Sequence, residues 1–391
     1  MTKKHLLIPA LLFVAGFAQA QIKNIHGPYL QNVDATEATV VWEADKPSVG
    51  WVELAPDDGT SFYSCERPKY FDCTNGVKNT STLHSVKLHG LQPGTTYRYR
   101  IYSKEVLSHN GFLVNYNAQV AATDVFRHKP LEFHTLDPAK AETSFLLMND
   151  IHGRAEIIPK LLEKGNYKEK DLIFFNGDMI SISNKSEDFF KGFMDTCTVL
   201  FAQEKSPYYC RGNHETRGEF ATHFQEYFSP RIPHLYFTLR QGPVFFIVLD
   251  TGEDKPDSDI EYSGIVDYDG YRSEQAEWLK TVKDDPLFQS ATYRVAISHM
   301  PTTESKSHWH GENDCLEKFA PQLNAMNIDL LICGHYHADS YHEPGSVVQY
   351  PVLINSNEGV VSATADASGL HVSIIRQNGK KVMEKEFPAR R

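Results

Sequence analysis

The sequence predicts two domains of different class, an all-β domain followed by an α/β domain. Up to about residue 136, short alternating segments rich in Val, Thr, Trp and Tyr are separated by turn residues, which is typical of antiparallel strands. From about residue 143, short and almost wholly apolar runs alternate with stretches of helical periodicity. Such runs are typical of strands buried on both faces of a sheet. The 391 residues leave ample length for two cores.

The first predicted domain covers residues 21–136, and residues 137–140 are the predicted linker after it. Residues 39–42 and 49–54 are predicted as two strands, and a turn at 91–94 leads into an alternating strand. The Leu-x-Pro-x-Thr-x-Tyr run that ends at Tyr97 resembles the tyrosine corner of fibronectin type III sandwiches. The resemblance implies a fibronectin type III-like β-sandwich.

The second predicted domain covers residues 143–391. Its apolar runs are predicted strands at residues 144–148, 172–175, 207–210, 244–249, 294–297 and 330–333. Between these strands, Ser186 and Ser273 are the predicted N-caps of two helices, because each precedes apolar residues at helical spacing.

Residues 1–20 have the layout of a secretory signal peptide. Lys3 and Lys4 precede an apolar stretch at 6–17, and Ala18-Gln19-Ala20 is a small-x-small cleavage site. The alternative is a membrane anchor, for which the stretch is short. Gln21 is not the cysteine that a lipoprotein needs. The sequence therefore predicts a periplasmic or secreted protein without a membrane anchor after cleavage.

The composition limits the partners and the redox chemistry. The formal net charge of −11 argues against binding to nucleic acid or to an anionic membrane. It does not exclude a small anionic substrate, because bound metal ions can reverse the local potential. The six cysteines fit an oxidising compartment without requiring one. A disulfide between Cys65 and Cys73 is possible, and it is also possible that both stay free.

Five of the predicted strands are followed closely by Asp, Asn or His. In open α/β sheets, ligands bind beyond the carboxyl ends of the strands, so these side chains are expected to converge. Imidazole, carboxylate and amide ligands suit zinc, iron, manganese or nickel. Glycine precedes three of the ligands and is expected to let the backbone approach a metal or phosphate closely. The Asp, Asn and His residues that follow the five strands are Asp150, His152, Asp178, Asn213, His214, His299, His335 and His337, and the glycines are Gly177, Gly212 and Gly334.

The order D-x-H, G-D-x-x, G-N-H-E, H, G-H-x-H resembles the calcineurin-like metallophosphoesterase superfamily, over roughly residues 143–360. The resemblance implies a two-sheet α/β sandwich with the metal ions at its edge. The fibronectin-like domain in front further resembles the arrangement of purple acid phosphatases and their bacterial relatives. Two positions depart from those enzymes: His152 replaces a glycine, and Ser181 replaces the metal-bound tyrosine. The purple tyrosinate–iron colour is therefore expected to be missing.

The resemblance also implies a role for each site residue. His214 would act at the leaving oxygen as proton donor or transition-state stabiliser, and Arg211 would contact the phosphate. The implied metal ligands are Asp150, His152 and His337 for the first ion, Asn213, His299 and His335 for the second, and Asp178 as the bridge.

The predicted function is that of an exported two-metal hydrolase of phosphate esters, with phosphomonoesters in small molecules or peptides as the predicted substrates, acting through a metal-bound hydroxide. The two cofactors would be divalent Mn, Fe, Zn or Ni. A phosphodiesterase or nucleotidase would use the same ligands, and comparing aryl monoesters with aryl diesters separates these activities. The alternative from another class is an adhesion or binding protein with an inactive esterase domain. Such a domain is expected to have lost a ligand, whereas all seven positions here hold suitable residues.

The sequence does not assign a function to two loops. His308, Trp309 and His310 lie in the loop 302–314, where they either line the pocket or face solvent. Asp250 follows a predicted strand and is interpreted as structural. Residues 251–272 form a long acidic, Tyr-rich loop. Long ordered loops are often functional, but the sequence does not show what this one does.

Overall fold

The computed structural model describes residues 21–228, 233–304 and 309–390. An all-β sandwich is followed by an α/β domain, as predicted. The predicted signal peptide at 1–20 and His308 lie outside the described residues. None of the helices in the described ranges combines the length and the apolar character needed to cross a bilayer.

The N-terminal sandwich is organised around one long strand. Its strands are β1 (Asn24–Gln31), β2 (Glu37–Pro56), β3 (Lys69–Phe71), β4 (Cys73–Thr74), β5 (Val77–Lys78), β6 (Ser81–His89), β7 (Thr96–Asn110), β8 (Leu113–Ala122) and β9 (Leu131–His134). The first half of β2 pairs with β1 and β6, and its second half pairs with β3 and β7. The two strands predicted at 39–42 and 49–54 are therefore halves of a single strand, which corrects that prediction.

The core and the corner of this domain follow the sequence pattern. Trp42, Tyr99 and Phe133 are buried between the layers. The hydroxyl of Tyr97 accepts a hydrogen bond of 2.9 Å from the backbone N–H of Gln92. This bond ties the strand back to the preceding turn, as the tyrosine corner requires.

The α/β domain contains two six-stranded sheets. The first has the order β12-β11-β10-β19-β20-β21, and the second has the order β13-β14-β15-β16-β18-β17. The strands are β10 (Thr143–Met148), β11 (Leu172–Asn176), β12 (Pro207–Cys210), β13 (Phe237–Gln241), β14 (Val244–Val248), β15 (Tyr293–Ile297), β16 (Leu330–Cys333), β17 (Ser340–His342), β18 (Val352–Ile354), β19 (Gly359–Ala365), β20 (Leu370–Arg376) and β21 (Lys381–Phe387). Each of the six predicted apolar runs is a strand, and β10, β11 and β12 are parallel, as are β14, β15, β16 and β18.

The helices cover the outer faces of the two sheets. Phe145, Phe174 and Phe246 lie in the core between the sheets, while separate apolar clusters fill the outer layers. The α-helices are α1 (Ile158–Lys164), α2 (Ser186–Phe189), α3 (Asp195–Cys197), α4 (Phe224–Tyr227), α5 (Tyr268–Val282), α6 (Pro286–Gln289) and α7 (His310–Ala325), with π-helical turns at Phe190–Met194 and Thr198–Ala202.

Both predicted helix caps need correction. Helix α2 begins at Ser186 itself, with Lys185 at the N-cap position. Helix α5 begins five residues before Ser273, and the side chain of Asp267 caps it by accepting a hydrogen bond from the N–H of Gly270. Ser273 instead donates to the backbone carbonyl of Asp269. An aspartate cap further upstream prevails because its carboxylate also complements the helix dipole.

The cysteines are free thiols. Cys65 and Cys73 are both exposed and are not joined. Cys210 and Cys333, which end two of the central strands, are buried. Burial raises the pKa of Cys333 to about 12. This thiol therefore stays protonated and unreactive at neutral pH.

Candidate metal centre

The loops after β10, β11, β12, β15 and β16 meet at one edge of the sandwich and hold one another through backbone hydrogen bonds. The N–H of His152 donates to the carbonyl of Asp178 (2.8 Å), and the N–H of His214 donates to Asp178 Oδ1 (2.9 Å). The N–H of His335 donates to Asp150 Oδ2 (3.0 Å). The N–H of Gly334 donates to the carbonyl of His299 (3.0 Å), so each motif predicted from the sequence is fixed by a neighbouring motif, and the predicted convergence is observed.

Five of the seven predicted metal ligands have a left-handed backbone. Their φ angles lie between 51° and 74°. Such angles are uncommon for residues other than glycine, and they cluster at functional sites where the surrounding structure enforces them. The five residues are Asp150, His152, Asp178, His335 and His337.

The three glycines beside the ligands allow the ligand loops to pack together. A Cβ atom on Gly177 would lie 2.4 Å from His299 Nδ1, and one on Gly212 would lie 2.3 Å from Asp178 Oδ1. A Cβ on Gly334 would lie 2.8 Å from Asp150 Oδ2. The close approach seen here is to the ligand side chains, and an approach to metal or phosphate stays a prediction.

The first candidate cluster consists of Asp150, His152 and His337, whose donor atoms lie within 4.8 Å of one another. His337 Nε2 is 3.1 Å from Asp150 Oδ1. The Nε2 atoms of His152 and His337 are also 3.1 Å apart. Two imidazoles and one carboxylate therefore point at the same small volume.

The second candidate cluster consists of Asp178, His299 and His335, with the same 4.8 Å limit between donor atoms. Asp178 Oδ2 lies 3.2 Å from His299 Nε2 and 3.9 Å from His152 Nε2. Asp178 thus faces both clusters, as a bridging carboxylate must. Asn213 lies in the loop after β12 at this edge, and its Oδ1 atom is buried.

The charges at this edge require a positive partner. Burial acts to raise the pKa of Asp178, but His299 outweighs this effect and holds the pKa well below its usual range. For His299, burial acts to lower the pKa, but Asp178 outweighs it and raises the pKa to about 10. A proton on His299 or a bound cation can supply the positive charge. Burial lowers the pKa of His152 to about 4, so its imidazole is neutral, which is the form that binds metals.

The donor set fits divalent metal ions. Asp150 Oδ1, Asn213 Oδ1 and His299 Nε2 are buried and lack a well-oriented hydrogen bond among the described residues, although His337 Nε2 lies 3.1 Å from the first and Asp178 Oδ2 lies 3.2 Å from the last. Buried polar atoms almost always have a hydrogen-bond partner, so three such atoms at one edge need an explanation. Nitrogen and oxygen donors of these types suit borderline divalent cations, and coordination would satisfy all three atoms.

The two residues predicted to act on the substrate differ in position. His214 Nδ1 lies 2.8 Å from the carbonyl of Ser181, and its Nε2 lies 3.8 Å from Asp178 Oδ2. It therefore faces the metal ligands. Arg211 is mostly buried, and its Nε lies 3.0 Å from Asp250 Oδ2. This ion pair explains Asp250 as a structural residue, while the contact of Arg211 with phosphate stays a prediction.

Two buried glutamates were missed by the sequence reasoning. Glu215 accepts hydrogen bonds from the N–H groups of Asp178, Met179 and Gly212 at 2.7–2.9 Å, and it thereby joins two ligand loops. Its place directly after His214 in the G-N-H-E motif was an available signal. Glu312 Oε1 lies 3.1 Å from His335 Nε2, so Glu312 orients that imidazole. Nothing in the spacing of the motifs pointed to Glu312, because it lies on α7.

The segment 302–314 was predicted as a loop, but its residues from His310 onward belong to α7. Trp309 is 55% exposed, and His310 Nε2 lies 2.8 Å from Asp269 Oδ1.

Comparison with known proteins places both domains. Residues 24–114 match the model of the purple acid phosphatase N-terminal domain. The fold is similar to that of a purple acid phosphatase from yellow lupin (Lupinus luteus) seeds, at 14% identity over 92% of this chain and 73% of that one, with a TM-score of 0.67. A 5′-nucleotidase from Candida albicans is 15% identical over 61% of this chain and 52% of that one, with a TM-score of 0.36. No curated protein matches the sequence. Residues 143–339, half of the chain, match the model for calcineurin-like phosphoesterases, and the chain therefore belongs to that family.

Proposed function

We propose that this protein is a two-metal hydrolase of phosphate esters that prefers phosphomonoesters. The observation that carries the proposal is the convergence of six carboxylate and imidazole donors from four strand ends, with Asp178 facing both candidate clusters and Asn213 buried in the adjoining loop. The proposed ligands are Asp150, His152 and His337 for one ion, Asn213, His299 and His335 for the other, and Asp178 for both.

In the proposed reaction, residues of the chain hold the ligand loops in place and donate a proton to the leaving group. When bound, the metal ions would provide Lewis acidity that activates water and neutralises charge on the phosphoryl oxygens. His214 is held by its Nδ1–H bond to the Ser181 carbonyl, so its Nε2 faces the site. In the cationic form, the Nε2 proton can pass to the departing oxygen. The buried Glu215 keeps the loops of Asp178 and His214 together.

Membership of the family does not fix the substrate, and the charge of the chain supports a narrower proposal. We propose a small-molecule or peptide-linked ester rather than a nucleic acid, because the chain carries a formal charge of −11. A phosphodiesterase or nucleotidase activity on the same ligands is the competing proposal. Steady-state kinetics with an aryl monoester and the matching aryl diester separate the two. Export is also proposed, and an N-terminus at Gln21 in the purified native protein would support it.

Removal of metal is expected to abolish ester hydrolysis. The reason is that the proposed mechanism activates water and neutralises the phosphoryl charge through the metal ions that these donor atoms would hold. Treatment with a chelator should remove activity, and Mn²⁺, Zn²⁺, Fe²⁺ or Ni²⁺ should restore part of it. Ca²⁺ serves as the comparison ion, because it prefers six to eight oxygen ligands. Full activity in protein shown by elemental analysis to be free of metal would contradict the proposal.

Glu312→Gln is expected to weaken metal binding about tenfold to a hundredfold, as loss of a carboxylate behind a metal-bound histidine typically does. The amide keeps the size of the side chain but loses the charge that orients His335. A competition titration with a chromogenic chelator measures the affinity without relying on activity. Glu317→Gln is the matched control, because Glu317 is exposed on the same helix. Equal affinities in wild type and Glu312→Gln would show that Glu312 does not support the site.

A further inference from the structure

Arg217 is the cationic side chain that the structure places against His214. Its Nη1 atom lies 3.4 Å from His214 Nε2. His214 Nε2 in turn lies 3.8 Å from the central carboxylate of Asp178. The side chain of Arg217 is 26% exposed, so its guanidinium is reachable from solvent. A phosphoryl oxygen in front of these two atoms could accept hydrogen bonds from Arg217 Nη1 and from Nε2 of the cationic form of His214.

A buried carboxylate fixes the orientation of Arg217. Glu253 accepts hydrogen bonds from Arg217 Nε at 2.7 Å and from Arg217 Nη2 at 3.0 Å. The hydroxyls of Thr216 and Tyr262 donate to the same carboxylate, each at 2.9 Å. Glu253 is 1% exposed. Because Nε and Nη2 of Arg217 both donate to Glu253, the remaining nitrogen of the guanidinium, Nη1, is directed towards His214.

The loop predicted at 251–272 is shorter in the structure, because α5 begins at Tyr268, and this arrangement gives its residues before that helix a function. Glu253 and Tyr262 both belong to this loop, and both act on the position of Arg217. Burying an ion pair is costly and is weak evidence for added stability. A fully hydrogen-bonded pair beside a candidate active site is better explained by the need to hold a guanidinium in place, since such networks make side chains rigid.

We propose that Arg217, positioned by Glu253, is the guanidinium that binds the phosphoryl oxygens of the substrate, and that it favours monoesters over diesters. The planar fork of arginine matches phosphate geometry and gives strong charge-assisted hydrogen bonds. A monoester carries one more ionisable oxygen than a diester, so a cation at this position favours the monoester. The inference rests on the proposed function. It assigns to Arg217 the role that the family resemblance assigned to Arg211, whose guanidinium is paired with the buried Asp250.

The test is the affinity of the metal-loaded enzyme for inorganic phosphate. Arg217→Gln should keep both metal ions and raise the inhibition constant of phosphate about tenfold to a hundredfold, the usual effect of losing hydrogen bonds to a charged group. The inhibition constant of Arg217→Lys should lie between those of wild type and Arg217→Gln, because lysine keeps the positive charge but lacks the planar fork of donors. The ratio of kcat/KM for an aryl monoester to that for an aryl diester should fall in both variants.

Arg390→Gln is the matched control for these variants. Arg390 also forms an ion pair with a carboxylate, that of Asp329 at 3.0 Å, and its side chain is 28% exposed. Asp329 precedes β16 and so lies at the opposite end of the strand from His335. This variant should leave phosphate inhibition and the substrate ratio unchanged.

The results can overturn the inference in distinct ways. An unchanged inhibition constant in Arg217→Gln, with only kcat reduced, would make Arg217 a positioning residue for His214. A larger loss of phosphate affinity in Arg211→Gln than in Arg217→Gln would return the role to Arg211. If Arg217→Gln does not fold, Arg217→Lys becomes the test. An unchanged inhibition constant of phosphate in Arg217→Lys would show that the guanidinium of Arg217 is not needed for phosphate binding. If the metal-loaded wild type hydrolyses no ester, the proposed function fails, while calorimetric titration with phosphate still compares wild type with Arg217→Gln.

Discussion

Asp178→Asn is expected to lower ester hydrolysis by at least about a thousandfold and to reduce metal at both candidate clusters. Bound metal ions contribute several kcal/mol of charge stabilisation in the transition state, and about 1.4 kcal/mol corresponds to a factor of ten in rate. The amide keeps an oxygen that can accept the 2.9 Å hydrogen bond from the N–H of His214. The local fold is therefore expected to survive, while the shared negative charge is lost.

The comparison with two other variants makes this result specific. His337→Ala should mainly weaken binding of the ion at the first cluster, because His337 contacts Asp150 and belongs to that cluster alone. Asp171→Asn is the control, since Asp171 precedes the same strand β11 at its far end, where it pairs with Lys140. Metal analysis and circular dichroism of the three variants give metal content and fold separately. About two metal ions per chain with normal turnover in Asp178→Asn would show that the bridge is misplaced.

The central strands and the convergence of the site could be predicted from the sequence because both depend on local patterns. Strands buried on both faces require unbroken apolar runs, and parallel strands bring their carboxyl ends to one edge. Asp150 after β10 and Asp178 after the neighbouring parallel strand β11 are thus at the same edge of one sheet, although they are 28 positions apart in the sequence. The aromatic and aliphatic core between the sheets follows from the same runs.

Other parts of the fold depend on partners that a local pattern does not reveal. Strands β19, β20 and β21 end the chain as an antiparallel extension, with β19 beside β10. One face of β21 is largely exposed, so no apolar run marks it. Strand β2 spans 20 residues because it pairs with different neighbours along its length. Its two apolar stretches therefore resemble two separate strands.

The same limit applies to the arginines near His214. Arg211 and Arg217 both lie within four residues of this histidine, and nothing in the sequence shows which one faces the site. The direction of each guanidinium is decided by a carboxylate after β14: Asp250 holds Arg211, and Glu253 holds Arg217. These pairings become visible only when β12 and β14 have been placed in the sandwich.

His214→Ala is expected to keep both metal ions and to lower turnover about a hundredfold to ten-thousandfold, the range of general acid catalysis. Because family resemblance gives His214 no metal, the variant separates chemistry from metal binding. In the structure, its Nδ1 is engaged by the Ser181 carbonyl, which leaves Nε2 as the atom that can reach the substrate. The loss should depend on the leaving group. A nitrophenolate needs little protonation, so the variant should retain more activity on a nitrophenyl ester than on an alkyl phosphate.

The measurement is kcat/KM for both esters, together with metal content, in wild type, His214→Ala and His223→Ala. His223 lies outside the site and pairs with Glu226 at the surface, so its replacement controls for the loss of an imidazole. An equal loss on both esters with metals intact would make His214 a phosphate-positioning group, because a positioning contact does not distinguish leaving groups. Loss of metal from His214→Ala would make it a ligand or structural residue, in keeping with its place near Asp178 and His152. A selective loss on the alkyl ester is the one outcome that requires a proton from His214, since only there does the departing oxygen need it.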